Sequence, residues 1–441
     1  MRTIYFPRYQ RAFGQLGEGV SVGSHPYLRF VAHPPEGYRF DSTPLTWSQW
    51  LTQLPIQCWR LSRRWRQLRT LGNASGLGGL DVFRFVRSRG LSRLVPAPKG
   101  TAATFLPTYP LTHLNENWFI EIEDTTTALD PYALNGRTAG VRFRELKAFP
   151  LIRQLFESPR CLGVLTHVRS TRDGMKTLFQ SDTITSKVQF LPLAYVPPIP
   201  VSESDLDKER DPHRLRFFFN NSWHQSSNNF FLRGGISILE CFEQLLARNY
   251  PISLVLRSAL PEKIRNRFAS LLAHPNVEVR DRFMTADEYV GLLRSSHYFL
   301  LPSARIHVVS IMEAMYYGAV PIVSDGWGIR EYVEDNVTGH VVSGIYGRVS
   351  WVDPETGALQ EDYAPMYGTP GIMTEALGRC LTGLLDNPSD RTAFSLRAHR
   401  RVRDRHNIDL FNLEFSRFLE RGFAGLESIS DPRDGLVTLD Q

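Results

Sequence analysis

Cysteine is scarce in this chain, with four in 441 residues, at Cys58, Cys161, Cys241 and Cys380. They stand far apart, with no disulfide framework, redox pair or metal spacing, so a reduced, cytoplasmic setting is expected. Long apolar runs are also missing. No stretch approaches the roughly 20 residues needed to span a bilayer, and Met1 to Arg8 lacks the apolar core of a secretory signal. The sequence holds no P-loop, no serine-hydrolase elbow, no internal repeat and no low-complexity tract. These absences argue against an integral membrane protein, a disulfide-stapled domain, a P-loop NTPase and a serine hydrolase.

What remains is ordinary for a globular protein: 42% hydrophobic and 22% charged residues. A chain of 441 residues exceeds one ordinary core and predicts two domains. The net charge of +6 is unevenly placed. Between Trp59 and Gly100 stand ten Lys/Arg against one acid, Asp81, interleaved with Trp59, Trp65, Phe83 and Phe85. The plain reading is a solvated helical face with arginine stems packed along it. The functional reading is peripheral docking on an anionic membrane, or holding an anionic acceptor. No nucleic-acid motif accompanies the charge, and no nucleic-acid partner is expected.

The two halves read differently. In the first, Tyr27 to Ala32, Thr104 to Leu106 and Trp118 to Ile122 read as strands, and Leu61 to Leu71 and Leu80 to Arg89 as helices. Gly14, Gly17, Gly19 and Gly23 punctuate a loop, and Asn73 to Gly79 is a glycine-rich turn. Cys161 to Leu178 reads as a buried strand entering a helix, and Lys187 to Leu193 as a further strand. Pro197 to Pro212, with four prolines and seven charged residues, marks a linker. The second half alternates cleanly. Strands at Leu215 to Phe219, Ile252 to Leu256 and Val277 to Val279 are separated by helices at Ser237 to Ala247, Glu262 to Leu272 and Ala286 to Arg294. Such βα alternation implies a parallel, doubly wound sheet. Thr374 to Leu385 and Arg391 to Arg405 read as helices.

The most informative stretch runs from Pro302 to Gly339. Phe299 to Leu301 is a short buried strand, Ser303 to Val308 a loop, and a helix begins near Val309 carrying Glu313. Gly318 ends that helix with a left-handed cap, and Val320 to Val323 is an apolar run suited to a strand covered on both faces. Such a unit leaves free N–H groups at a helix start beside strand carboxyl ends, where nucleotide phosphates bind. Pro302-Ser303, Glu313-Ala314-Met315, Gly318, Gly328, Glu331, Val333, Asp335 and Gly339 fall in the order of a known signature. The stretch resembles the donor-binding segment of glycosyltransferase family 4, whose members are retaining enzymes of GT-B fold. That family commonly has two glutamates separated by seven residues; Arg305 occupies the first position here and Glu313 the second.

The resemblance implies an α/β GT-B fold of two doubly wound Rossmann-like domains, with C-terminal helices crossing back to the first. Its divisions would be 1–196 on the acceptor side, 197–212 as linker, 213–390 for the nucleotide sugar, and 391–441 for the crossing helices and tail. Arg233-Gly234-Gly235 resembles the lysine-glycine position whose cation faces the diphosphate. Glu313 matches the acid that accepts the ribose hydroxyls, as a carboxylate accepts from two vicinal O–H groups at once. Arg305 and His307 fall where the donor sugar would sit, and the helix start at Val308, Val309 and Ser310 offers N–H groups to phosphate. Glu123 and Asp124, after a strand, take the places of the family's histidine-aspartate. On the acceptor side stand His167 and the loop with Gly17 and Gly19. Each has a plainer alternative: Arg233 at the surface beside a turn, Glu313 as a solvated acid, Asp124 capping Thr125 to Thr127, His167 and His307 as hydrogen-bonded structural histidines.

Asp205-Leu206-Asp207 has the D-x-D form that binds manganese in another transferase fold, but it lies in the linker and not after a strand; no metal site or cofactor is expected. The activity implied is retaining transfer of a hexose-type sugar from a nucleotide-diphosphate sugar to a glycan or lipid-linked acceptor. Arg233 would be catalytic, with Glu123, Asp124 and Arg305 around the transfer. The alternatives are a nucleotide-sugar epimerase and a degenerate, non-catalytic subunit that binds glycan or an anionic membrane.

Overall fold

The computed structural model describes residues 1–6, 32–41, 97–107, 116–129, 138–146, 148–206, 210–211, 213–221, 229–282, 284–343, 353, 355–356, 358, 364–368, 371–386 and 391–427. The expected helices at 61–71 and 80–89, the glycine-rich turns with Gly17 and Gly19, the basic stripe as far as residue 96 and nearly all of the strand at 27–32 lie outside the described residues.

Two six-stranded parallel sheets organise the described chain. The first contains β1 (Arg2–Tyr5), β2 (Tyr38–Asp41), β3 (Ala103–Pro107), β4 (Trp118–Glu121), β5 (Cys161–Thr166) and β6 (Val188–Phe190), in the order β2-β1-β3-β4-β5-β6. The second contains β7 (Leu215–Asn220), β8 (Ile252–Arg257), β9 (Val277–Val279), β10 (Tyr298–Leu301), β11 (Val320–Ser324) and β12 (His340–Val342), in the order β12-β11-β10-β7-β8-β9. From β7 the chain builds outward through β8 and β9. It then returns to lay β10 against the other edge of β7, pairing Tyr298 with Phe217 and Leu300 with Phe219. The β7–β10 boundary is therefore a topological switch point, and connections from the two strands part there to leave a crevice at their carboxyl ends.

Alternation along β7 shows why the second sheet is covered on both faces. Phe217 and Phe219 enter a core with Ile238, Phe242 and Leu377 from the helices Gly235–Ala247 and Gly371–Asp386. Phe218 points the other way, into a core with Ile311, Met315 and Val402 from the helices Val308–Tyr316 and Arg391–Arg405. Successive phenylalanines bury on opposite faces because the side-chain period of a strand is two.

The helix Ile408–Glu427 then crosses to the first sheet. Its Phe411, Phe415, Phe418, Leu419 and Phe423 pack against Phe40, Phe105, Phe119 and Leu162. Approach is close: a Cβ at Gly422 would lie 2.5 Å from the Phe119 ring and 2.8 Å from the Leu162 carbonyl oxygen. The expected doubly wound halves and returning terminal helix are both present.

Several local expectations are modified. The helix read over Glu262 to Leu272 divides at Phe268, whose φ of −106° and ψ of 26° leave the helical range, into Glu262–Arg267 and Ala269–Leu272. β1 and β2 carried no strand reading. The 197–212 segment is fastened to the second domain. Leu206 is buried, and buried Arg210 donates to the Ser296 and Tyr317 carbonyls at 2.8 and 3.0 Å. Asp205 closes a capping box with Ser202 there, so the D-x-D acid serves a local turn. Among the described residues no three His, Cys, Asp or Glu side chains cluster as a metal site, and no helix is long and apolar enough to cross a membrane.

Candidate active-site cleft

Where β7 ends, the chain passes through Asn220 and returns by the short helix Asn229–Leu232 to Arg233. Gly234 makes the return possible. Its φ is +77°, and a Cβ there would sit 2.4 Å from the Pro302 carbonyl oxygen, so only glycine lets this turn lie against the loop after β10. The turn directs Arg233 inward, to 2% exposure. The plain expectation of a surface arginine does not hold. Arg233 donates to the Asn220 carbonyl at 2.7 Å and to His307 Nδ1 at 3.3 Å. Burial lowers it to about 10, still a cation at neutral pH.

The contact with Arg233 fixes the state of His307. Guanidinium only donates, so His307 Nδ1 accepts and the ring proton sits on Nε2. Burial, then the positive charges of Arg233 and Arg305, push His307 well below its usual range and keep it neutral. Its buried Nε2–H has no hydrogen-bond partner among the described residues, a costly arrangement unless something accepts from it. His307 leads into the helix Val308–Tyr316, where the first helical bond runs from Ile311 N to the His307 carbonyl. The N–H groups of Val308, Val309 and Ser310 thus have no partner within the helix.

One turn on, Glu313 is half-buried, and its Oε2 accepts from the Tyr289 hydroxyl at 2.9 Å. Burial raises it to about 7, opposed by the Tyr289 hydrogen bond and by Arg257. An ordinary solvated acid would not behave so.

The first domain faces this with a charged cluster at the ends of β4 and β5. His167 is 3% exposed, with Nδ1 3.2 Å from Glu121 Oε1 and Nε2 3.7 Å from Glu123 Oε2. Burial pulls His167 down, but the hydrogen bond to Glu121 and the nearby Glu123 carboxylate outweigh it and raise the imidazole to about 9. Burial likewise opposes ionisation of Glu123, yet Arg305 and His167 hold it at about 2. Arg305 reaches across from the second domain, binding Glu123 and, at 2.9 Å, Asp124 Oδ2. Arg305 is therefore a cation that two carboxylates of the opposite domain engage. Asp124 also caps its own turn, with Oδ1 accepting from Thr126 N and Thr127 N at 2.9 and 3.0 Å. The expected cap is thus present, and the other carboxylate oxygen engages Arg305.

A second set of contacts fixes the two domains beside this cluster. Glu331 accepts from Arg169 N, Ser170 N and the Ser170 hydroxyl at 2.6, 3.1 and 2.9 Å, capping the helix Arg169–Phe179 from the other domain. Next to it, the Tyr332 hydroxyl donates to the His167 carbonyl at 2.7 Å.

Of the expected residues, the structure gathers Arg233, His307 and the start of the Val308–Tyr316 helix at the switch point, with Glu313 one turn further on that helix. It gathers Glu123, Asp124 and His167 opposite, with Arg305 between. Gly17 and Gly19 lie outside the described residues. Tyr289 and Arg257 belong to the site without any sequence signal, since an aromatic on an amphipathic helix and an arginine after a buried strand are common.

Compared by sequence, the chain matches no protein-family model and no curated protein. By structure it is similar to sucrose-phosphate synthase from Thermosynechococcus elongatus, at a TM-score of 0.54 and 12% identity, over 96% of this chain and 100% of that one. The chain has the GT-B fold. TarM and the GtfA/B complex are similar at lower TM-scores, 0.47 and 0.46, with 12% and 10% identity. Those matches cover 71% and 70% of this GT-B chain, which spans about half, 54%, of each.

Proposed function

We propose that this GT-B protein is a retaining glycosyltransferase of the family 4 type. It would move a hexose-type sugar from a nucleoside-diphosphate sugar to a glycan or lipid-linked acceptor. One observation carries the reading: at the β7–β10 switch point, a buried guanidinium, a buried imidazole N–H with no acceptor among the described residues and the start of a helix stand together, next to a carboxylate. Donors of that kind suit a diphosphate, and the acid suits a ribose diol. The order of residues from Pro302 to Gly339 supports the same donor class.

Transfer by this route breaks the bond from the anomeric carbon to the diphosphate oxygen and forms one to the acceptor oxygen on the same face. The acceptor's proton passes to the departing phosphate oxygen. Arg233, His307 Nε2–H and the N–H groups of Val308 to Ser310 stabilise the charge on that oxygen, already oriented before it develops. No resident metal or cofactor is assigned, because these groups carry the needed positive potential. Glu123, Asp124 and His167 border the acceptor's place, and Arg305 positions the two carboxylates by binding both. Peripheral contact with an anionic membrane through Trp59 to Gly100 belongs to the same reading.

A second reading, a non-catalytic subunit, is favoured by the capture of Arg305 by Glu123 and Asp124, which occupies the charges facing the sugar's place. The deciding experiment incubates the protein with UDP- and GDP-hexoses and with glycan or polyprenyl phosphate acceptors, and reads the product's anomeric coupling by NMR. Retention of the donor's configuration is expected. An inverted product contradicts the retaining assignment; an altered free nucleotide sugar formed without acceptor identifies an epimerase; no product supports the non-catalytic subunit.

A further inference from the structure

Glu313 is held from one side only. Its Oε2 accepts the hydrogen bond of the Tyr289 hydroxyl, while Oε1 has no partner among the described residues and is not sealed from solvent. Tyr289 is itself fixed. Its hydroxyl accepts from Asn220 Nδ2 at 3.0 Å, and Asn220 Oδ1 accepts from Arg257 at 3.0 Å. The Arg257 guanidinium lies 5.1 Å from the centroid of the Tyr289 ring, whose edge meets Phe218. Since the amide nitrogen can only donate, the phenol's one proton is committed to Glu313. This chain of contacts joins the carboxyl ends of β7 and β8 to two helices, and every member lies beside the switch point.

We infer that Tyr289 is a positioning residue for the ribose of the nucleotide: by taking Oε2 it turns Glu313 so that Oε1 is presented to the ribose diol. The inference rests on the nucleotide-sugar reading above and adds to it a selectivity for ribonucleotides over deoxyribonucleotides. An oxygen with two lone pairs accepts from both vicinal hydroxyls, and a nucleotide lacking them leaves the carboxylate unmatched.

The charged and titratable groups around Glu313 sharpen the expected behaviour. They are Tyr289, Tyr195, Tyr317 and the Arg257 cation, with Arg233 beyond Tyr289. Among the described residues no cation forms an ion pair with Glu313, and burial raises it to about 7. Protonation therefore competes with ribose binding. Affinity is present above that pH and is lost as pH falls through it.

The test is a pH titration of UDP and GDP binding to the full chain by calorimetry, for wild type and Tyr289→Phe, with the 2′,3′-dideoxy forms alongside. Removing the hydrogen bond that favours the ionised acid moves the midpoint for the ribonucleotide upward by about one pH unit. Affinity at pH 7 then falls about fivefold and recovers at alkaline pH. The dideoxy forms bind wild type weakly, with no step. Replacing position 289 alone by 3-fluorotyrosine, a stronger donor in an unaltered packing, moves the midpoint down and serves if the phenylalanine variant folds poorly. Ribonucleotide binding with an unmoved midpoint in both substituted proteins, or an equal step for the dideoxy forms, overturns the role of Tyr289. Binding of neither nucleotide by wild type at any pH overturns the donor reading itself, and this inference with it.

Discussion

Arg233 is the residue on which most of the proposed chemistry depends. A buried cation costs free energy, and here it is retained beside the β7–β10 switch point, with the Asn220 carbonyl and His307 among its hydrogen-bond partners. The cost is offset if an anion enters. Removing such a preorganised donor from a transfer site typically slows turnover by about 10² to 10³. Arg233→Ala is expected to lower kcat by about that factor, with Arg233→Lys intermediate because it keeps the charge and loses the fork. Steady-state kinetics on variants whose melting temperature has been checked measures this. An unchanged kcat in Arg233→Ala contradicts the assignment. The turn at Arg233 was legible in its neighbour Gly234, but the arginine's burial was not, since no local pattern separates an inward from an outward arginine beside a turn.

The elements carry a different lesson. Arg391–Arg405 was readable to the residue, and β7 to β11 fell where the sequence predicted strands, because a parallel strand covered on both faces is largely apolar, whereas β12 carried no strand reading. β1 and β2 were not readable. They have four residues each, with exposed or half-buried positions among the four, and their identity as strands comes from pairing with one another and with β3. The cross-domain pairing of Arg305 was likewise invisible, as its partners lie 182 and 181 positions away. The turn at Gly234 offers the clearest test here. Gly234→Ala adds a Cβ at a φ of +77° against the Pro302 oxygen, which must push the 233–235 turn away from the β10 loop. A loss of about 2 kcal/mol or more is expected, read as a lower denaturant midpoint. Midpoint and slope equal to wild type would show that the close approach is not needed.

For the molecule as a whole, the Glu121–His167–Glu123–Arg305–Asp124 cluster ties the domains together electrostatically. The folded state holds His167 at about 9 against an ordinary 6.5, so its contribution to stability is full below about pH 6.5 and is lost as pH rises through about 9. Glu123 runs the other way: held at about 2 against an ordinary 4.5, it contributes fully above about pH 4.5 and loses that contribution as pH falls through about 2. The bridge is expected at full strength between about pH 4.5 and 6.5. Melting temperature should decline from about pH 6.5 toward 10, and the decline should flatten in His167→Gln. Equal alkaline slopes in the two proteins would remove His167 from the account.

The central claim is that the second domain's switch point holds a nucleotide sugar. Saturation-transfer NMR with a mixed panel of UDP- and GDP-sugars, on wild type and Glu313→Ala, tests it most directly. The account predicts saturation of one donor's ribose and sugar protons in wild type and its loss in the variant. A folded wild-type protein that saturates none of the panel contradicts it.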